Sequence, residues 1–120
     1  MEAPKIFESE YRFCLILWDN EPVSSGQLVQ LAREGLGWSK ATTYTVIRRL
    51  GERGVLVNEN AMVRSLVSKE QVQQSRVEEM VEETFQGDLP AFLAAFTWGR
   101  KLNAREVAQL KELIDSYEEE

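Results

Sequence analysis

Apolar residues recur at helical spacing near the start of the chain and predict a first helix. Tyr11, Cys14, Leu15 and Trp18 follow one another at steps of three and four residues, which places them on one helix face. Ser9 precedes them and is the expected N-cap. Three more apolar residues widen this face: Phe13, Ile16 and Leu17. Because so much of its surface is apolar, we expect this helix to be central to the core.

Cap signals and apolar spacing predict two further helices. Ser24 and Gln27 have the spacing of a capping box, and an amphipathic helix follows over about residues 25–34. Ser39 is the expected N-cap of the third helix, and Gly54 is a typical C′ residue that ends it. The inward face of this third helix is predicted to consist of four apolar residues: Ala41, Val46, Ile47 and Leu50.

A β-hairpin is predicted directly after the third helix. Residues 55–57 and 63–67 are short segments rich in β-branched residues, and the mostly polar residues 58–62 separate them. Three helices followed by a hairpin form a winged helix-turn-helix, in which the third helix enters the major groove and the hairpin, or wing, contacts flanking backbone. We therefore predict a winged helix-turn-helix DNA-binding domain over residues 6–68, which we call the head.

Residues 69–120 carry three more helical patterns and are predicted to form a helical dimerisation domain, which we call the tail. The first helix starts at a capping box, Ser68 to Gln71, and runs to about Gln86. A segment of about fifty residues is too small to bury this many large apolar side chains by itself, so we expect two copies to pair. The alternative is that these helices fold back onto the head of the same chain. The predicted dimerisation residues are Val77, Met80, Val81, Phe85, Leu89, Phe92, Leu93, Phe96, Leu110, Leu113 and Ile114.

The net charge of −6 is unevenly distributed along the chain. Residues 1–70 contain nine basic and nine acidic residues, whereas residues 71–120 contain five basic and eleven acidic residues. Within residues 38–54, four basic residues accompany a single acid, Glu52. A locally basic helix in a neutral head is compatible with DNA binding, since phosphate contacts are local and charges are screened beyond ~10 Å. A solvated surface helix is the alternative interpretation of the same charges.

The residue inventory argues against an enzyme. The chain has one cysteine, Cys14, and no histidine, which excludes an intrachain disulfide and a zinc site of the usual Cys/His type. Histidine is also the commonest general base in catalysis. The seven glycines are scattered and form no phosphate-binding motif. We therefore predict no catalytic residue, no metal site and no cofactor.

The hydropathy pattern gives no sign of membrane insertion. No apolar segment approaches the ~20 residues needed to span a bilayer. The first residues lack the basic and then apolar layout of a signal peptide. We therefore expect a cytoplasmic protein that is not inserted into a membrane.

Residues 38–54 carry an ordered motif that identifies a family. The motif reads Trp-Ser, then Thr-x-x-Thr, then Arg-Leu and a closing Gly, and it is flanked by Glu10 on one side and by Phe85 and Gly87 on the other. With these features the chain resembles the penicillinase-repressor family over about residues 6–118. The resemblance implies a homodimeric transcriptional repressor with a winged-helix head and a helical dimerisation tail.

The third helix carries most of the residues that the resemblance assigns to DNA. Thr42 and Thr45 share a helix face. Their hydroxyl groups can bond to phosphates or base edges, and their methyl groups can contact the methyl group of thymine. Lys40 and Arg49 suit phosphates or guanine. The alternatives are backbone hydrogen bonds for the threonines and an ion pair with Glu52 for Arg49. The predicted DNA-binding residues are Ser39, Lys40, Thr42, Thr43, Thr45, Arg48, Arg49 and Arg64.

These residues predict a dimeric transcriptional repressor that binds an inverted repeat in double-stranded DNA through the major groove. The alternative is a winged-helix module that binds proteins and not DNA. The hairpin tip motivates this alternative, because it is short and contains an acid, Glu59, with Arg64 as the basic residue nearby.

The route to derepression stays open at the level of sequence. Antibiotic-responsive relatives are cut by a membrane metalloprotease before a tail phenylalanine, and Phe92 occupies the matching position. Ala91 precedes it, where those relatives have Asn. A sensor protease that cleaves the tail is therefore one expected partner. The chain has no paired Cys-x-Cys motif, so copper sensing of that type is not expected, and Cys14 is either a redox switch or part of the core.

Overall fold

Six helices and a small sheet make up residues 3–118, the part of the chain that the computed structural model describes. The predicted mainly α fold with a winged helix-turn-helix head is confirmed. Glu119 and Glu120, which the predicted dimerisation domain includes, lie outside the described residues. The elements are α1 (Glu8–Asn20), β1 (Val23–Ser24), α2 (Ser25–Leu36), α3 (Lys40–Glu52), β2 (Leu56–Glu59), β3 (Met62–Ser65), α4 (Lys69–Phe85), α5 (Leu89–Trp98) and α6 (Ala104–Asp115).

The first helix is central to the core of the head, as its apolar pattern predicts. Phe13 and Leu17 of α1 are fully buried together with Leu28 of α2 and Leu50 of α3. Val63 of β3 closes the same cluster from the sheet side. The three helices and the sheet therefore share one hydrophobic core.

The start of α1 differs from the prediction. Ser9 is not the N-cap, because the helix begins at Glu8 with Phe7 as the cap residue. The carboxylate of Glu10 accepts a hydrogen bond from the Phe7 backbone N–H at 2.9 Å. A carboxylate at the third helical position thus satisfies an N–H group that a serine N-cap does not reach.

The sheet has three antiparallel strands in the order β1-β3-β2. The hairpin turn consists of only two residues, Asn60 and Ala61, with φ of 53° and 62° as in a type I′ turn. The predicted connection, residues 58–62, is longer than this turn. Glu59 and Met62 belong to the strands but are exposed, so they lack the apolar signal of a buried strand position. Strand β1 is absent from the sequence prediction, since two residues carry no periodic signal.

By its internal contacts the chain divides within α4, into one unit that ends at Val77 and another that begins at Glu78. The first half of α4 belongs to the head unit. Val72 is buried there, and the Arg76 guanidinium lies 4.1 Å from the centre of the Tyr11 ring and 2.7 Å from the Glu8 carboxylate. The head unit therefore extends beyond the predicted limit at residue 68, while the functional division at that point stays a prediction.

The second unit is organised around a row of aromatic rings. Phe92 makes edge-to-face contacts with Phe85 and Phe96, at centroid distances of 5.7 Å and 5.3 Å. Asp88 caps α5, and Asn103 forms with Glu106 the capping box that starts α6. Within residues 3–118, no helix is both long and apolar enough to cross a membrane.

Candidate nucleic-acid interface

The start of α3 is fixed by the cap that the sequence predicts. The Ser39 hydroxyl oxygen accepts a hydrogen bond from the Thr42 backbone N–H at 3.1 Å. The Ser39 hydroxyl also donates to Thr42 Oγ1 at 3.1 Å, which orients the threonine side chain. Gly37 has φ of 71° and ends α2, so only a short turn separates α2 from α3. Gly54 has φ of 79° and follows the last turn of α3, as predicted.

The buried and exposed faces of α3 are sharply separated. Val46, Ile47 and Leu50 point into the core, in agreement with the predicted inward face. Ala41 is exposed, contrary to the prediction, and Thr43 is fully buried in its place. The periodicity explains this, because Thr43 precedes Ile47 by one helical turn.

Thr43 has no surface to offer DNA, which corrects its assignment as a contact residue. Its hydroxyl donates to the Ser39 carbonyl oxygen at 3.0 Å, the local backbone bond that is the alternative role for a helical threonine. Thr42 is exposed and Thr45 is half-buried, so these two threonines remain on the accessible side of the helix.

The basic residues of α3 differ in their partners. Arg48 forms an exposed ion pair with Glu52 at 3.3 Å, one turn further along the helix. Glu52 was the alternative partner predicted for Arg49, but it pairs with Arg48, which is four residues before it. Within residues 3–118, neither Lys40 nor Arg49 forms an ion pair. Lys40 and Arg49 are therefore the exposed cations of α3 that do not already have a carboxylate partner.

The wing lies beside α3 and carries one of the predicted contact residues. Arg64 of β3 forms an exposed ion pair with Glu59 of β2 at 3.5 Å. An open groove of about 470 Å³ is lined by residues of both α3 and β2. Its lining is Tyr44, Ile47, Arg48, Gly51, Glu52, Leu56, Val57 and Asn58. The wing thus adds little free positive charge to the surface of α3.

Comparison with known families identifies the chain. Residues 6–116 match the model of the family described as penicillinase repressor. The chain belongs to this family. Its members are transcription regulators and not enzymes, so this protein is a transcriptional repressor. Comparison with individually curated proteins gives no match.

Arg53, which no sequence pattern singled out, holds the end of α3 in the repressor. The Arg53 guanidinium donates to the Lys5 carbonyl oxygen at 2.8 Å, pairs with the buried carboxylate of Glu10 and lies 5.5 Å from the centre of the Phe7 ring. The available signal was Glu10 itself, a charged residue one turn before Phe13 on the most apolar face of α1. Such a residue implies a buried partner.

Cys14 belongs to the core of the repressor. Its side chain is fully buried, and burial raises the pKa of its thiol to about 12. A thiolate is the reactive form of cysteine, so this environment suppresses oxidation and metal binding at neutral pH. The geometry therefore favours the packing role over the redox switch.

The predicted dimerisation residues fall into two groups. Val81 is buried, and Phe85 and Phe92 are half-buried, so these three contribute to the fold of the second unit. The Ala91–Phe92 bond lies in the first turn of α5. The other predicted residues are exposed in the single chain: Val77, Met80, Leu89, Leu93, Phe96, Leu110, Leu113 and Ile114.

Proposed function

We propose that the repressor is a homodimer that binds an inverted repeat in double-stranded DNA, with α3 of each head in the major groove. The observation that carries this proposal is the division of α3 into two faces. One face is anchored in the core, and the rest of the helix surface presents Lys40, Thr42 and Arg49 to solvent. A recognition helix needs a fixed orientation together with exposed polar groups that reach bases and phosphates.

The chemistry of the exposed face suits DNA. Lys40 and Arg49 neutralise phosphates or bind guanine, because their charges are not taken up by an ion pair within the described residues. The Thr42 hydroxyl oxygen accepts a hydrogen bond from the Ser39 hydroxyl, so the Thr42 hydroxyl hydrogen is free to be donated to a phosphate or a base. The backbone N–H groups of the first turn add an attraction for phosphate.

The exposed apolar residues of the tail support pairing of two chains. Leu113, Ile114 and Tyr117 of the α6 region are 64%, 63% and 71% exposed. Within the described part of the chain, neither α5 nor α6 contains a buried residue. An extended apolar surface of this kind is typical of a protein interface. A twofold dimer holds two heads together, which matches the symmetry of an inverted repeat.

A double substitution on α3 tests the DNA proposal. A labelled random-sequence duplex of about 30 base pairs is titrated with wild-type protein and with Lys40→Ala/Arg49→Ala at salt concentrations from about 50 mM to 200 mM. The double variant is expected to bind more weakly and with a flatter dependence of affinity on salt, because fewer counterions are released.

A matched pair of substitutions in the tail controls for the loss of two positive charges. Arg105→Ala/Lys111→Ala removes one arginine and one lysine from exposed positions of α6. This variant is expected to bind as the wild type does. Equal affinity of the α3 variant and the wild type would contradict the assignment of α3 as the recognition helix.

A protein-interaction module without DNA binding is the second candidate. The ion pairs Arg48–Glu52 and Arg64–Glu59 favour it, because they neutralise two of the cations on the surface formed by α3 and the wing. Nonspecific binding to DNA is electrostatic and strongest at low salt. Absence of binding to the random duplex even at about 50 mM salt would therefore favour this second function.

A further inference from the structure

The wing arginine is held by a carboxylate of its own hairpin. Glu59 is paired in register with Met62, and Arg64 lies two residues further along β3 on the same face of the sheet. Residues at such diagonal positions of an antiparallel pair are within reach of each other when their side chains are long. The distance of 3.5 Å between Arg64 Nη2 and Glu59 Oε1 agrees with this register.

The hairpin is fixed at both ends, so the two charges are presented together. At the turn, the Ala61 carbonyl oxygen accepts a hydrogen bond from the Ser25 backbone N–H at 2.9 Å. At the other end of β3, the Glu21 carboxylate accepts hydrogen bonds from the Ser65 backbone N–H and hydroxyl at 2.8 Å and 2.9 Å. Glu59 therefore stays beside Arg64, whichever way the head approaches DNA.

A phosphate that approaches the wing must compete with this internal anion. The Arg64 and Glu59 side chains are 56% and 67% exposed, so water screens their pair and a phosphate can replace the carboxylate. The replacement leaves the Glu59 charge next to the DNA backbone without a partner. Both effects reduce what Arg64 contributes to DNA binding.

We propose that Glu59 is an internal counter-charge that withholds Arg64 from the DNA backbone and lowers the affinity of each head. This inference rests on the proposed DNA binding. Glu59 acts through Arg64 and is thus a positioning residue rather than a contact residue. The wing becomes a phosphate-binding element when this one carboxylate is neutralised.

Neutralisation of Glu59 tests the proposal. Wild type, Glu59→Gln, Arg64→Ala and the double variant are titrated against the random-sequence duplex over the same salt range. Glu59→Gln is expected to bind roughly threefold to tenfold more tightly than wild type at low salt. The slope of log affinity against log salt is expected to steepen by about 0.9 for each additional phosphate contact. Asp19→Asn is the matched control, because it removes an exposed carboxylate from the last turn of α1.

The comparison in the Arg64→Ala background separates the specific pair from general charge. Without Arg64, neutralisation of Glu59 is expected to leave the salt slope unchanged. Equal binding of Glu59→Gln and wild type overturns the proposal, and so does the same gain with and without Arg64. If wild type itself fails to bind the duplex at low salt, the proposed DNA binding fails, which this series distinguishes from failure of the wing inference alone.

Discussion

At the scale of single residues, Cys14 shows how burial decides chemistry. The same thiol is a redox sensor when it is exposed next to positive charge and an inert core group when it is buried. In the repressor, burial is the largest influence and the nearby Glu10 carboxylate adds to it, so that the pKa rises from 9.0 to about 12. Cys14 is therefore protonated and shielded at physiological pH.

This environment predicts that Cys14 resists alkylation in the folded protein. Iodoacetamide at neutral pH is expected to leave the native repressor unmodified and to modify it fully in denaturant, as measured by intact mass. The unfolded thiol ionises near pH 9.0 and the folded thiol near 12, so stability is lost as pH rises through this window. Rapid modification of native protein at neutral pH would rule out the core role.

At the scale of elements, most helix starts could be located from cap signals, although the prediction of Ser9 as the cap of α1 was wrong. Contacts between residues distant in sequence could not be predicted. The caps Ser24, Ser39 and Asn103 were predictable, because each is defined by residues within one helical turn. Strand β1 was not predictable, since only its pairing with β3 defines it. The candidate site also contains contacts that local spacing explains and one that it does not. The ion pair of Arg48 and the burial of Thr43 follow from helical periodicity, whereas the Arg53–Glu10 pair joins residues 43 positions apart.

The Arg53–Glu10 pair leads to a prediction about the recognition element. Arg53→Met removes the cation and leaves the Glu10 carboxylate buried without its partner, so the free energy of unfolding is expected to fall by about 2 kcal/mol. Because Arg53 links the end of α3 to the start of α1, DNA affinity is expected to fall as well. Urea denaturation and duplex titration measure the two effects.

A second substitution tests the cause of that loss. Glu10→Gln/Arg53→Met has a neutral amide in place of the carboxylate, and the amide oxygen can still accept from the Phe7 N–H. This double variant is expected to be more stable than Arg53→Met alone. If the two variants are equally unstable, the loss comes from packing of the arginine and not from an unpaired buried charge.

At the scale of the whole molecule, the excess negative charge and most of the large apolar residues that are exposed in the described part of the chain lie after residue 70. The first seventy residues are neutral in sum, with three of their nine basic residues on α3, and the excess negative charge lies after them. An acidic tail repels DNA, so it does not compete with the heads for the duplex. In a dimer, the two acidic tails would repel each other. Burial of their exposed apolar residues therefore has to outweigh this repulsion.

Dimerisation is therefore expected to depend on the apolar face of α6. In sedimentation at micromolar concentration, wild type is expected to have the mass of two chains. Leu113→Asp/Ile114→Asp introduces charges into two strongly exposed apolar positions and is expected to give single chains. Gln109→Asp adds a charge at an exposed polar position of the same helix and is expected to stay dimeric. A monomeric wild type, or an unchanged mass in the double variant, would show that two copies do not pair through α6.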